Sequence, residues 1–166
     1  MGSHIKIGVI SDTHIPDRAK ELPSSIREVF KGVDMIIHAG DFVDLSVLEE
    51  LQSLCKCVKG VWGNMDPPEV RSKLPEKEIF KIGKHTIGLI HGQGAPAMLL
   101  EFVAEKFKKD NVDVIIFGHA HTPFNEVKDG ILFFNPGSAT DRIFAPFNSF
   151  GIIEINDTID AKIVKI

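Results

Sequence analysis

Apolar residues fall along this chain in short runs separated by polar, glycine-rich segments, with a few stretches of helical periodicity between them. Ile5 to Ile10 is apolar and β-branched, as a strand buried on both faces requires. From Ser25 the spacing predicts a helix, its start marked by Ser25-Ile26-Arg27-Glu28, which matches a capping box. Met35 to His38 reads as a second short strand. Asp44 then stands either as a participant in a functional site or as N-cap to a helix whose Leu45, Leu48, Leu51 and Leu54 recur at helical spacing. Cys57 to Val61 predicts a third strand, and Ile79 to Ile82 and Thr86 to Ile90 flank the hairpin signal Gly83-Lys84-His85. Pro96 suits the first turn of a helix running to about Lys109. Val114 to Phe117 is the next strand, and Asp129-Gly130 predicts a tight hairpin. Gly151 to Ile155 and Ala161 to Ile166 close the chain as strands around Asn156-Asp157. About ten strands are too many for one small open sheet, so the expectation is an α/β fold with two packed β-sheets. No repeat, low-complexity tract or linker interrupts residues 1–166, which predicts one domain.

Composition narrows the setting. At 166 residues the chain is long enough to bury a real core, and 43% hydrophobic with 25% charged residues is the balance of a soluble globular protein. A net charge of -4 carries no basic excess, which argues against a large nucleic-acid interface. No apolar run approaches the ~20 residues that span a bilayer, so no membrane role is expected. Met1-Gly2-Ser3-His4 has neither the basic nor the apolar region of a secretory leader and reads as a cloning remnant, so His4 is set aside. Cys55 and Cys57 lie too close in sequence for an easy disulfide, and the expectation is a reduced, cytoplasmic protein.

The polar residues on this map are not scattered. Asp12 and His14 follow the first strand, Asp41 the second and Asn64 the third. His91 ends the strand Gly88 to His91, and His119 and His121 follow Val114 to Phe117. Each lies just past the carboxyl end of an apolar strand, the edge at which α/β sheets build binding sites on a rigid frame. The seven are oxygen or imidazole donors with no thiolate among them, a set suited to Mn, Fe, Zn, Ni or Co rather than to a structural zinc knuckle. Seven donors are too many for one ion that also holds water, but they suit two ions sharing a carboxylate.

The blocks Asp12-x-His14, Gly40-Asp41-x-x-Asp44, Gly63-Asn64-x-Asp66, His91-Gly92 and Gly118-His119-x-His121 together resemble the calcineurin-like metallophosphoesterase superfamily. They stand in that family's order and reach the Asn135-Pro136-Gly137-Ser138 stretch, so the resemblance spans nearly the whole chain. The short length is similar to the small bacterial and archaeal phosphodiesterases of the superfamily, and to a retromer subunit with the same fold. The resemblance implies a four-layer αββα sandwich and a dinuclear centre, with manganese the first expectation. It places Asp12, His14 and His121 on one ion, Asn64, His91 and His119 on the other, and Asp41 between them, with Asp41, Asn64 and His91 at the reacting centre. Two such ions about 3.5–4 Å apart hold a water as hydroxide at neutral pH and polarise phosphoryl oxygens. The implied function is hydrolysis of small phosphodiesters or nucleotides. The alternatives are a phosphomonoesterase or a protein-binding scaffold, and seven intact donors favour the enzyme.

Two positions depart from the family pattern. Met65 stands where many members carry a histidine able to protonate the leaving group, and Gln93 where many carry a second histidine. Other residues take the plainer reading: His38 packed or supporting, His85 solvated, Trp62 in the core, Asp66 orienting the Asn64 loop. Asn135 and Arg142, at another strand end, are candidate substrate contacts. Phe144, Phe147 and Phe150 form an apolar stretch suited either to covering the core or to meeting a partner chain, a second copy included.

Overall fold

The computed structural model describes residues 4–166, so the reading of Met1 to Ser3 lies outside the described residues. Ten strands form two five-stranded sheets. In the first, β1 (Ile5–Ile10), β2 (Met35–His38) and β3 (Val58–Gly60) run parallel. Antiparallel β9 (Ser149–Ile155) and β10 (Ile159–Lys165) extend it beyond β1, giving the order β10-β9-β1-β2-β3. The second sheet has the order β4-β5-β6-β8-β7. Its centre, β5 (His85–Ile90), β6 (Val114–Ile116) and β8 (Ile131–Asn135), is parallel, and β4 (Lys77–Ile82) and β7 (Phe124–Lys128) are its antiparallel edges.

Strand alternation explains the layering. Ile7 and Val9 of β1 and Ile37 of β2 point between the sheets, where they meet Leu89, Ile116 and Phe134. Ile10 and Ile36 point outward and are covered by α1 (Ser24–Phe30) and α2 (Leu45–Leu54), through Ile26, Phe30, Val47 and Leu51. On the far face α4 (Leu99–Phe107) lays Leu99, Val103 and Phe107 over Ile90, Ile115 and Phe133. The result is helices, sheet, sheet, helix. A short α3 (Pro68–Arg71) follows β3. Among the described residues, no helix is long and apolar enough to cross a membrane.

Two local expectations differ from the structure. The capping box at Ser25 does not form. Pro23 occupies the N-cap with no side-chain cap bond, and Ser25 lies inside the first turn. Proline there presets the backbone angle for helix entry and leaves the serine nothing to cap. In α2 the buried residues are Val47 and Leu51, whereas Leu45, Leu48 and Leu54 are only partly covered, so the apolar face is rotated from the leucine repeat. Asp44 does cap α2, its carboxylate accepting from the Ser46 N–H at 2.8 Å. Pro96 opens a 3-10 turn, Pro96–Met98, that leads into α4.

Candidate metal centre

Because β1, β2 and β3 are parallel, as are β5 and β6, their carboxyl ends open on one rim, and the seven donors follow those ends. The loops reach inward by an unusual backbone. Asp12, His14, Asp41, His119 and His121 all have positive φ, between 42° and 73°. Left-handed backbone is costly for residues with a Cβ and concentrates at functional sites. Glycine before a donor has a separate reason. A Cβ on Gly118 would fall on Ser11 and Asp12, and one on Gly40 would come within 2.6 Å of His91 Nδ1.

Asp12 lies at the centre. Its Oδ2 accepts from the Ser11 hydroxyl at 2.6 Å and from the His119 N–H at 3.1 Å. Its Oδ1 is buried without a hydrogen-bond partner, as is Nε2 of His14. Around that oxygen stand Nε2 of His121 at 3.3 Å, of His14 at 3.7 Å and of His91 at 3.8 Å. Asp41 presents Oδ2 to His91 Nε2 at 3.2 Å and to His14 Nε2 at 3.5 Å, while its Oδ1 accepts from the Met65 N–H at 2.8 Å. Asp12, His14 and His121 therefore form one group of converging ligand atoms, and Asp12, Asp41 and His91 an overlapping second.

Asn64 and His119 complete the outer side. The Gly94 carbonyl, which can only accept, lies 2.8 Å from His119 Nε2, so the ring proton sits there and Nδ1 carries a lone pair. That lone pair faces Asn64 Oδ1, another acceptor, at 3.3 Å. His91 is fixed in a similar way: Nδ1–H donates to the Ala39 carbonyl at 2.7 Å, and Nε2 is turned toward Asn64 Oδ1 at 3.1 Å. A lone pair aimed at an amide oxygen, together with the partnerless Asp12 Oδ1 and His14 Nε2, is what divalent cations satisfy. The residues present fit such ions.

The electrostatics carry the same mark. Burial alone would lower the pKa of His91, but the charges of Asp12 and Asp41 outweigh it and push the imidazole up to about 9. For His121 burial again pulls down, and Asp12 with Asp141 raises the value to about 9. Burial would raise Asp12, yet the imidazoles of His91, His121 and His14 hold it well below the usual carboxylate range. In its supporting role, Asp66 accepts from the N–H groups of Val43, Gly63 and Asp41 at 2.7, 2.8 and 2.9 Å, fixing two donor loops to each other. His38 is fully buried, stacked on Phe42 at 3.6 Å, with Nδ1 accepting from the Gly40 N–H and Nε2–H donating to Thr13. Burial drops its pKa to about 3, and it remains a neutral brace.

Sequence reasoning missed Asp141. Its Oδ2 takes the His121 Nδ1–H at 2.6 Å, which orients the ring so that Nε2 faces Asp12. A carboxylate behind a ligating histidine fixes its tautomer and raises its basicity. The available signal was chemical: His121 needs an acceptor behind it, and Asp141 is an acid in the loop that follows β8.

The two substrate-contact candidates are placed elsewhere. Asn135 is buried with its amide committed, the NH2 to the Gly118 carbonyl and the oxygen to the Gly137 N–H, both at 2.9 Å. It clamps the His119 loop and has no free group for a substrate. Arg142 points into a surface groove with Arg18 and Lys20 that none of the seven donors lines. Gln93 borders a small cavity of about 50 Å³ with Asn64, His91, Trp62 and Glu76. Trp62 packs on the core from one side while Arg71 lies 4.3 Å from its ring centroid, and Arg71 also holds the Asn64 carbonyl at 3.2 Å. His85 is half-buried at the start of β5 and distant from the rim in the fold.

The family described as the calcineurin-like phosphoesterase superfamily domain matches residues 5–158. A probable metallophosphoesterase of Methanocaldococcus jannaschii is 41% identical over all of this chain and 84% of its own length. A phosphodiesterase of the same organism is 30% identical over 80% of this chain and 83% of its own. Among solved structures, wild-type Vps29 of Entamoeba histolytica complexed with zinc superposes with a TM-score of 0.76 at 27% identity, covering 97% of this chain and 99% of that one. With its donors in that order on that fold, the chain belongs to the calcineurin-like phosphoesterase superfamily.

Proposed function

We propose that this protein is a metal-dependent phosphodiesterase acting on small phosphodiesters or nucleotides at a centre of two divalent ions, with manganese ahead of Ni, Fe, Zn or Co. The observation that carries the reading is the partnerless Asp12 Oδ1 ringed by three imidazole nitrogens, with Asp41 Oδ2 shared between His14 and His91. Asp12, His14 and His121 would hold one ion, Asn64, His91 and His119 the other, and Asp41 both. Such ions supply Lewis acidity toward phosphoryl oxygens and lower the pKa of a water to the neutral range.

The chain's own residues set the frame. The Met65 N–H holds one oxygen of Asp41 and leaves the other inward. Carbonyls of Ala39 and Gly94 lock the rings of His91 and His119 with their lone pairs inward. Ser11, the hydroxyl beside the centre, is committed to Asp12 and is no nucleophile. The Met65 side chain stands 54% exposed beside Asn64, and a thioether has no proton to give a departing alkoxide. A dianionic monoester also brings more negative charge against Asp12 and Asp41 than a diester does. Both arguments favour diesters and good leaving groups, and the relative named a phosphodiesterase supports that choice. Free Cys55 and Cys57 suit a reduced, cytoplasmic setting.

A protein-binding scaffold is the second reading, favoured by the likeness to Vps29. That structure is described as a zinc complex, so bound metal alone does not separate the two and turnover must. The test is kcat/KM for esters graded by leaving-group pKa, in wild type and Met65→His at equal metal content. An aryl diester should turn over faster than its monoester, and Met65→His should accelerate poor leaving groups selectively. A preference for alkyl monoesters, or an unchanged leaving-group slope, refutes the diester assignment. No turnover of any ester leaves the scaffold.

A further inference from the structure

Phe144 is exposed where an apolar side chain has least reason to be. It is 69% exposed, yet its ring centroid lies 6.5 Å from that of His121, at the edge of the donor cluster. Its two companions in the segment are accounted for. Phe150 is buried edge-on against Phe30, and Phe147 lies under Lys165.

The exposure is not that of a loose loop. The Asp141 carboxylate accepts from the N–H groups of Ile143, Phe144 and Ala145 at 2.9, 3.1 and 3.1 Å. The Oδ2 that binds Phe144 and Ala145 also takes His121 Nδ1–H, so the backbone of Phe144 and the ring of His121 hang from one oxygen. Arg18 belongs to the same assembly, its guanidinium 4.0 Å from Asp141 Oδ1 and 5.8 Å from the Phe144 ring centroid. An exposed ring carried on a pinned backbone, with a guanidinium over it, is an aromatic–arginine pair of the kind that receives a flat π-system.

We propose that Phe144 and Arg18 form a stacking subsite for the planar base of a nucleoside phosphoester whose phosphate lies at the donor cluster. The inference rests on the phosphoesterase reading and names its substrate class. It makes Phe144 a specificity residue. Asp141 serves two ends of one substrate, orienting His121 at the phosphate and Phe144 at the base.

The experiment compares AMP with ribose 5-phosphate, which carries a like phosphate ester without a base. Binding of each to the manganese-loaded full chain is measured by calorimetry, so no turnover is needed. AMP should bind wild type about tenfold more tightly, within the range of one base stacked on an aromatic. Phe144→Ala, which opens no core cavity, should erase that advantage and leave the ribose 5-phosphate Kd unchanged, whereas Phe144→Trp should keep it. Arg18→Gln should reduce the advantage in part. Equal Kd values in wild type, or an equal loss for both ligands in Phe144→Ala, overturn the subsite while leaving the phosphate site intact. If neither ligand binds and no ester is turned over, the phosphoesterase reading fails, and the subsite with it.

Discussion

The two sides of the donor cluster are built differently. Asp12, His14 and His121 are buried, and two of their atoms have no partner. That side is braced from behind by Ser11 and Asp141. On the other side Asn64 is exposed and His119 half-buried, and Asn64 Oδ1 faces the nitrogens of both His91 and His119. The inner side holds a buried carboxylate oxygen with no hydrogen-bond donor of its own and imidazole nitrogens 3.3 Å away or farther. The outer side pairs two imidazoles with a neutral amide and borrows its charge from Asp41. A cation gains most where the charge is buried and the donors are already fixed. The two metal positions are therefore expected to differ, with the Asp12 side tighter and the Asn64 side more exchangeable.

The largest effect should come from the residue common to both sides. Asp41→Asn removes the shared charge, and loss of several kcal/mol of metal-borne stabilisation lowers kcat/KM by roughly 10³. Asp44→Asn, three residues on, should change little, because asparagine caps a helix as well as aspartate does. Similar activity losses with metal retained in both variants would break the proposed sharing.

Next in size is a change confined to one side. Asp141→Asn leaves His121 in place but weakens its orientation and basicity, at a cost of about 10–100-fold in metal affinity. A metal titration followed by calorimetry should show that loss in the tighter step alone. An effect on the weaker step only would reverse the assignment.

The smallest effect is on stability, in protein stripped of metal by a chelator. His91 sits at about 9 when folded against 6.5 unfolded, so its contribution is complete below pH 6.5 and is lost as pH rises through 9. His121 acts in the same direction. His38, at about 3 against 6.5, acts oppositely: its contribution is present above pH 6.5 and is lost as pH falls toward 3. Each of the two fully buried groups sets a slope of up to about 1.4 kcal/mol per pH unit. Thermal unfolding of the stripped protein should therefore peak near pH 6.5 and fall on both sides. Added metal should remove the alkaline decline, since it replaces the proton on His91 and His121.

Much of this was legible in the sequence because it rests on local rules. β-branched runs such as Ile5–Ile10 are strands whatever surrounds them, and the order of polar residues past the strand ends placed all seven donors on one rim. What escaped depends on segments far apart in the chain. Asp141 meets His121 only because the turn after β8 folds back beside the His119–His121 loop. Asn135 looked free for a substrate because its bond to the Gly118 carbonyl exists only in three dimensions. The Ser25 capping box failed for a nearer reason, the proline two residues before it.

The most direct test is calorimetric titration of the stripped protein with manganese, repeated for His14→Ala and His119→Ala. About two ions per chain should bind in two steps, with His14→Ala abolishing the tighter step and His119→Ala the weaker. Binding of one ion or none by wild type, or loss of the tighter step in His119→Ala alone, would contradict this assignment.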